Sequence, residues 1–275
     1  MSQLNPTFSL NHMTAPRLDA FELLDTAKAL GLKAVELRND VADNSVSELD
    51  HARAIGARAH ELGIEILSIN ALYPFNIWSE ERAAQAETLA ELAAACGATG
   101  LVMCPLNDGS YQASDAEKQA GLEQALRGLK PILEKHGLKG FVEPLGFPIS
   151  SLRLKKNAVA AIKAVDGEDR FALVHDTFHH MVAGETEFFP EFTGLVHISG
   201  VEDTSIGYAQ MLDAHRVLVG PADRLHNLEQ IKTLLGQGYR GYLSFEPFAR
   251  EVCELDEPLP AVQASMRFIA AGVTA

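Results

Sequence analysis

Residues 171–180 read Phe-Ala-Leu-Val-His-Asp-Thr-Phe-His-His, and this stretch decides the fold. Its first four residues are apolar, which fits a short strand buried on both faces. Polarity then arrives at once with His175, Asp176, His179 and His180. Neighbours on a strand alternate faces, so His175 points away from Asp176. Asp176 and His179 are three apart, and a tight turn or first helical turn aims both into one pocket. Asp offers a hard oxygen and His a borderline nitrogen, the donors that divalent metal sites use. Taken alone, the segment reads equally as a strand and a polar loop whose histidines only form hydrogen bonds. Asp176 also reads as an N-cap for the turn that follows, and His180 as an ordinary loop residue.

The same strand-then-polar pattern recurs along the chain. Strands are expected over residues 7–13, 33–37, 65–72 and 100–105, then 139–143, 171–176, 194–199 and 241–245. Helices are expected over 18–30, 47–62, 79–95, 114–136, 157–165, 228–235 and 258–271. In the first helix Phe21, Leu24 and Ala27 fall at steps of three, and Gly31 is a stop. Ser114 reads as an N-cap and Pro131 as a kink or break. Residues 185–191 are weakly patterned and are assigned a short helix, and 200–227 a long polar loop. Strands alternating with helices in this way specify a (β/α)8 TIM barrel, one α/β domain over residues 1–275. A doubly wound sheet would announce a glycine-rich phosphate loop after its first strand, and Asn11-His12-Met13-Thr14 is not one.

Composition narrows the function. A hydrophobic fraction of 47% over 275 residues is ample for one large core. The net charge of -14, from 37 acidic and 23 basic side chains, repels phosphate backbones and argues against nucleic acid as a partner. Cys96, Cys104 and Cys253 form no metal or redox motif and suit a reducing cytosol, Cys104 reading as a small hydrophobe. The segment from Met1 to Leu10 lacks a basic start followed by an apolar core, so no signal peptide is expected. No apolar run approaches the ~20 residues of a membrane helix. The expectation is a cytoplasmic protein with no membrane partner.

Four consecutive strands end in candidate ligands: Glu143 in Phe-Val-Glu-Pro, Asp176, His197 in Leu-Val-His-Ile, and Glu246 in Ser-Phe-Glu-Pro-Phe. Burying several carboxylates is costly unless a cation or protons neutralise them. Three carboxylates and an imidazole around one divalent metal satisfy each other. Oxygen-rich ligation points to Mn, Mg, Co or Zn without choosing among them. Glu143 and Glu246 have an alternative as partners of arginines at the rim. Glu36 and Arg38 read as a structural ion pair in the barrel mouth or as substrate contacts. Asn11 and His12 line the pocket or cap the first helix. Tyr73, Phe75 and Trp78 form a pocket wall or close the top of the core.

These residues carry a resemblance. Glu143, Asp176, His197 and Glu246 at successive strand ends are similar to the xylose-isomerase-like sugar isomerase and epimerase superfamily, nearest the inosose isomerases. Ala34-Val35-Glu36-Leu37-Arg38 resembles the Glu-Ile-Arg strand of that group. Asp176-Thr177-Phe178-His179 resembles the epimerase Asp-Thr-x-His motif. His197 through Ile206-Gly207, then Arg216 and Gly220, resembles the loop after strand seven. Gly220-Pro221-Ala222-Asp223 differs from the Pro-Gly-x-Gly turn frequent there.

The resemblance implies a metal-dependent isomerase or epimerase of carbohydrate or inositol metabolism. It implies one divalent ion held by Glu143, Asp176, His197 and Glu246, and a ketose or inosose substrate. It further implies proton transfer by Glu143 and Glu246 through an enediolate. His179 would bind a substrate hydroxyl and Arg216 another substrate oxygen. Homo-oligomers are common in the family, and Phe188 and Phe189 are candidate interface residues. Competing readings are an inosose dehydratase-like lyase, a hydroxypyruvate isomerase and a sugar-binding barrel with a silent site. An apurinic-site endonuclease shares the barrel, but the negative charge opposes a DNA groove.

Overall fold

Alternation of side chains along short parallel strands builds the architecture. The computed structural model describes residues 5–274; the first four residues of the leader reading lie outside that range. The strands are β1 (Thr7–Asn11), β2 (Ala34–Arg38), β3 (Glu65–Leu72), β4 (Gly100–Met103), β5 (Lys139–Val142), β6 (Phe171–Asp176), β7 (Thr193–Ile198) and β8 (Tyr242–Phe245). They close in sequence order into one barrel, every neighbouring pair parallel. Helices α1 (Ala20–Ala29), α2 (Leu49–Leu62), α3 (Glu80–Cys96), α4 (Asp115–His136), α5 (Lys155–Ala164), α6 (Thr177–Ala183), α7 (Asn227–Gly236), α8 (Arg250–Cys253) and α9 (Leu259–Thr274) lie between and after them. This is the expected (β/α)8 barrel.

Local chemistry sets the helix ends. Asp19 with Glu22, and Ser114 with Glu117, form reciprocal capping boxes at α1 and α4. Gly63, Gly97, Gly137 and Gly184 end α2, α3, α4 and α6 in the left-handed region that glycine adopts without strain. Pro131 does not break α4. It is exposed, as is Arg127, so the carbonyl that loses its N–H partner faces water.

Two cores follow from strand alternation. Outward residues such as Leu10, Leu37, Leu101 and Leu173 pack against the helices in one large cluster. Each such fully buried side chain contributes roughly 1.5–3 kcal/mol. Inside the barrel, Ala34, Leu67, Val102, Phe141, Val174 and Leu195 form a separate apolar plug. Two residues beyond five of these stand Glu36, Cys104, Glu143, Asp176 and His197. With period two, the plug and the polar groups share the inner face, so the plug forms the floor of whatever the mouth holds.

Several expected boundaries shift. The short helix assigned to residues 185–191 is instead α6, immediately after Asp176. Its polar-looking sequence hides a helix because His179 and His180 are themselves buried, at 5% exposure each. The loop at 200–227 is folded rather than loose. Gly200 and Val217 exchange backbone hydrogen bonds at 2.7 and 2.8 Å, and Arg216 O accepts from Phe248 N and Ala249 N at 2.9 and 2.7 Å. That closure carries Arg216 into the interior. Helix α8 has no strong period and went unassigned from sequence. Among the described residues, no helix is long and apolar enough to cross a membrane.

Candidate functional site

Strand register assembles the site. Asp176 pairs with His197 across β6 and β7, and His197 with Ser244 across β7 and β8. Glu246 lies two residues beyond Ser244, and Glu143 one beyond the end of β5. Ligand atoms of Glu143, Asp176, His197 and Glu246 all lie within 4.8 Å of one another, and all four residues are buried. His197 is the hub: Nδ1 lies 2.9 Å from Glu143 Oε1, 3.1 Å from Glu246 Oε2 and 4.0 Å from Asp176 Oδ2. The far nitrogen, Nε2, lies 3.2 and 3.3 Å from the two oxygens of Glu36.

Each carboxylate has one oxygen held from outside the cluster and turns the other toward His197. Asp176 Oδ1 caps α6, accepting from Phe178 N at 2.7 Å and His179 N at 3.0 Å. The N-cap reading and the site reading of Asp176 are therefore compatible. Glu143 Oε2 accepts from Cys104 Sγ at 3.3 Å. Glu246 Oε1 accepts from Arg38 Nη1 at 2.9 Å and Asn11 Nδ2 at 3.3 Å. Arg216 Nη2 donates to Asp176 Oδ2 at 2.6 Å and Glu246 Oε2 at 3.0 Å. Burial raises the Glu246 carboxyl, but His197, Arg216 and Arg38 more than offset it and hold the group well below its ordinary range.

Charge balance tests the fit of a metal. Glu36, Glu143, Asp176 and Glu246 bring four buried carboxylates, and Arg38 and Arg216 two buried cations. With His197 neutral the interior keeps an excess of two negative charges. Burial lowers the imidazole's affinity for a proton. Glu246, Glu36 and Glu143 outweigh that and push His197 well above its ordinary pKa. A three-carboxylate, one-imidazole donor set with this excess suits one divalent cation. Nδ1 faces the carboxylates while Glu36 stands behind Nε2, the carboxylate–histidine arrangement that orients a ligating ring.

Glu36 and Arg38, read from sequence as a mutual ion pair or as substrate contacts, do not pair with each other, and Arg38 lines the cavity. Glu36 accepts from Ser68 Oγ at 2.6 Å and Asn70 Nδ2 at 2.9 Å, while Arg38 pairs with Asp40 at 2.7 and 2.8 Å and with Glu246. Both side chains face inward two residues apart, so they stack along the lumen and each finds a partner on another strand. Cys104 is not an inert hydrophobe, since its thiol touches Glu143. His180 is no loop residue: Lys155 Nζ lies 2.7 Å from His180 Nδ1 and 3.0 Å from His175 Nδ1 in a buried cluster outside the barrel. Asn11 caps the turn after β1 through Met13 N at 3.0 Å and also reaches Glu246. His12 bonds Leu18 O at 2.8 Å and stays out of the pocket.

Above the centre lies a cavity of about 250 Å³ lined by Arg38, Tyr73, Glu143, His179, Arg216, Glu246 and neighbours. Phe248 forms one wall, with the Arg38 and Arg216 guanidinium carbons 5.4 and 4.6 Å from its ring centre. Leu145 and Phe147 line the cavity from the segment after β5. Gly146 lets that segment press on α6, for a Cβ there would sit 2.2 Å from His179 O. Tyr73 lines the cavity, whereas Phe75 and Trp78 belong to the core.

Fold and site together define a (β/α)8 barrel with a buried cluster of three carboxylates and an imidazole at the C-terminal mouth of its strands. Residues 24–271 match the family described as xylose isomerase-like TIM barrel, and the chain belongs to that family. A xylose isomerase domain-containing protein from Salmonella typhimurium LT2 is 32% identical, with 99% of this chain and 98% of that one covered and a TM-score of 0.85. The IOLI protein, solved with a bound zinc atom, is 21% identical over 97% of this chain and 98% of its own, TM-score 0.83. D-psicose 3-epimerase from Clostridium cellulolyticum H10 is 14% identical over 98% and 100%, TM-score 0.74. No curated protein matches the sequence.

Proposed function

We propose that the chain is a divalent-metal-dependent isomerase or epimerase of a small polyol ketone, with an inosose the leading substrate. The observation that carries the reading is the convergence of Glu143, Asp176, His197 and Glu246 within 4.8 Å under a small cavity. The epimerase and zinc-bearing neighbours support it. When bound, the cation supplies Lewis acidity toward a substrate carbonyl, which eases loss of a proton from the adjacent carbon.

The protein's own groups do the rest. Glu143 and Glu246 approach the same point from β5 and β8, each with its second oxygen held by a neighbour. One, ionised, takes the carbon-bound proton; the other, protonated at the start of the turnover, delivers its own to the receiving carbon, and exchange with solvent resets both. Arg38 and Arg216 keep Glu246 ionised between turnovers. Arg216 has a second role in binding a substrate oxygen, and His179 in holding a hydroxyl. Phe248 and Phe147 exclude water from the reacting carbon.

The test combines elemental analysis of the purified protein with solvent-deuterium exchange into ketoses and inososes. Glu246→Gln should still bind metal at saturating concentration and lose exchange by about 10²–10⁴-fold. Exchange at the parent rate would remove Glu246 from acid–base chemistry. Product masses separate isomerisation from loss of water.

A further inference from the structure

We propose that Asn107 is the hydroxyl-recognising residue on the β4 side of the cavity, facing a substrate hydroxyl across Glu143 from the one His179 takes. The inference rests on the polyol-ketone reading of the site and deepens it by naming a residue that selects among such ketones.

Among the described residues lining the cavity, two side chains carry a buried polar atom with no partner: Asn107 Oδ1 and His179 Nδ1. Their polar neighbours are engaged. Asn70 is bound to Glu36 and Ser68, Arg38 to Asp40 and Glu246, and Arg216 to Asp176, Asp213 and Glu246. Asn107 Oδ1 is closed off from the cavity in this rotamer and bonds nothing there, so turning the amide toward the cavity breaks no hydrogen bond and gives the oxygen a partner. The two orphans follow β4 and β6, the strands on either side of β5, whose end carries Glu143. A polyol whose reacting carbon meets Glu143 therefore has one flank toward each.

Asn107 is also held in place. Its backbone bridges to Ser150, its N–H donates to the Tyr73 hydroxyl at 3.3 Å, and Ser151 N donates to the adjoining Leu106 O at 2.8 Å. These links are made by main chain, so the side chain is free to serve a ligand from a fixed base. An amide bonds a hydroxyl whichever way it is turned, because a hydroxyl both donates and accepts. It gives no charge with which to hold a phosphate.

The experiment uses the metal-loaded full chain with 2-keto-myo-inositol and D-fructose, each beside its monodeoxy derivatives. Deuterium exchange gives KM and kcat, and calorimetry measures binding of the corresponding unreactive reduced polyols. For the preferred ketone, Asn107→Leu should raise KM and weaken polyol binding about 3- to 10-fold, the size of one neutral hydrogen bond. Its kcat and its metal affinity should stay near the parent's. For one deoxy derivative, parent and variant should share the same KM. Asn107→Ala, which adds no apolar bulk, should repeat the pattern if the leucine variant folds poorly. Parent-like KM and polyol affinity in both variants would overturn the assignment of Asn107 while leaving the isomerase reading intact. Absence of exchange by the parent with every ketone would overturn both.

Discussion

Replacing Glu36 by Gln tests whether His197 is oriented from behind. In the parent, Glu36 Oε2 accepts from Ser68 at 2.6 Å and Asn70 at 2.9 Å, and Oε1 accepts from Asn11 Nδ2 at 3.4 Å. Both oxygens lie 3.2–3.3 Å from His197 Nε2. A Gln carbonyl in the Oε2 position keeps Ser68 and Asn70. Its NH2 group then meets Asn11 Nδ2 and a protonated Nε2, which are donors too. The tautomer that leaves the Nδ1 lone pair toward Glu143, Asp176 and Glu246 loses its support. Loss of such an outer partner lowers metal affinity by about 10–100-fold, or roughly 1.4–2.7 kcal/mol. The charge effect runs the same way, because the interior excess falls from two negative charges to one. Zinc or manganese titration of the metal-free variant against a competing chelator measures the loss, with thermal unfolding confirming the fold. Affinity within about twofold of the parent would refute the reasoning and leave Glu36 as barrel packing.

Two further outcomes bear on the scaffold. Burial pulls the Lys155 ammonium down from 10.5 to about 8 against the opposing charge of Glu185. The unfolded chain then holds a proton that the folded chain lacks between those values, so this residue's contribution rises with pH across the window by up to ~3 kcal/mol. Denaturant unfolding of the parent and Lys155→Met at pH 7.5 and at 10 should show the parent gaining on the variant at the higher pH; equal differences at both would contradict it. Gly128→Ala places a methyl 2.2 Å from the Trp78 indole across α4. It should destabilise by about 1–3 kcal/mol and shift the emission of the only tryptophan; an unchanged midpoint would mean that Trp78 moves freely.

Strand ends were legible because each polar group interrupts an apolar run at a fixed place. Phe141 before Glu143, Val174 before Asp176 and Leu195 before His197 all keep the inner face apolar until the mouth. The barrel follows from the same rhythm. Glu36 was visible, and of its two readings only the pair with Arg38 is excluded, since sequence alone does not reveal which side chains meet across the lumen. Its true partners, Ser68, Asn70 and His197, come from β3 and β7. Helix α6 was placed too late because its first turn is polar by composition and buried by tertiary contact. Asn107 follows the fourth strand as a polar residue in the sequence, but nothing there separates it from Asp108 beside it; its place in the cavity wall and the unpaired Oδ1 do.

The two arginines explain how so acidic a cluster stands inside a folded protein. Four carboxylates alone would repel one another in a medium that screens poorly, and at least one would take up a proton. Arg38 and Arg216 each join an inner carboxylate to an outer one, Asp40 and Asp213, whose side chains are 52% and 45% exposed. The outer partners, reaching water, hold each guanidinium in place without adding a fully buried charge. Phe248 lies against both cations and closes the rim side of each. The arginines therefore reduce the buried excess from four to two and stop there. Without a metal His197, pushed well above its ordinary pKa by the surrounding carboxylates, holds a proton and lowers the excess to one; a divalent ion displaces that proton and cancels the two. Arg216 arrives on the loop after β7 and Arg38 within β2, so the balance depends on the whole circumference of the barrel being closed.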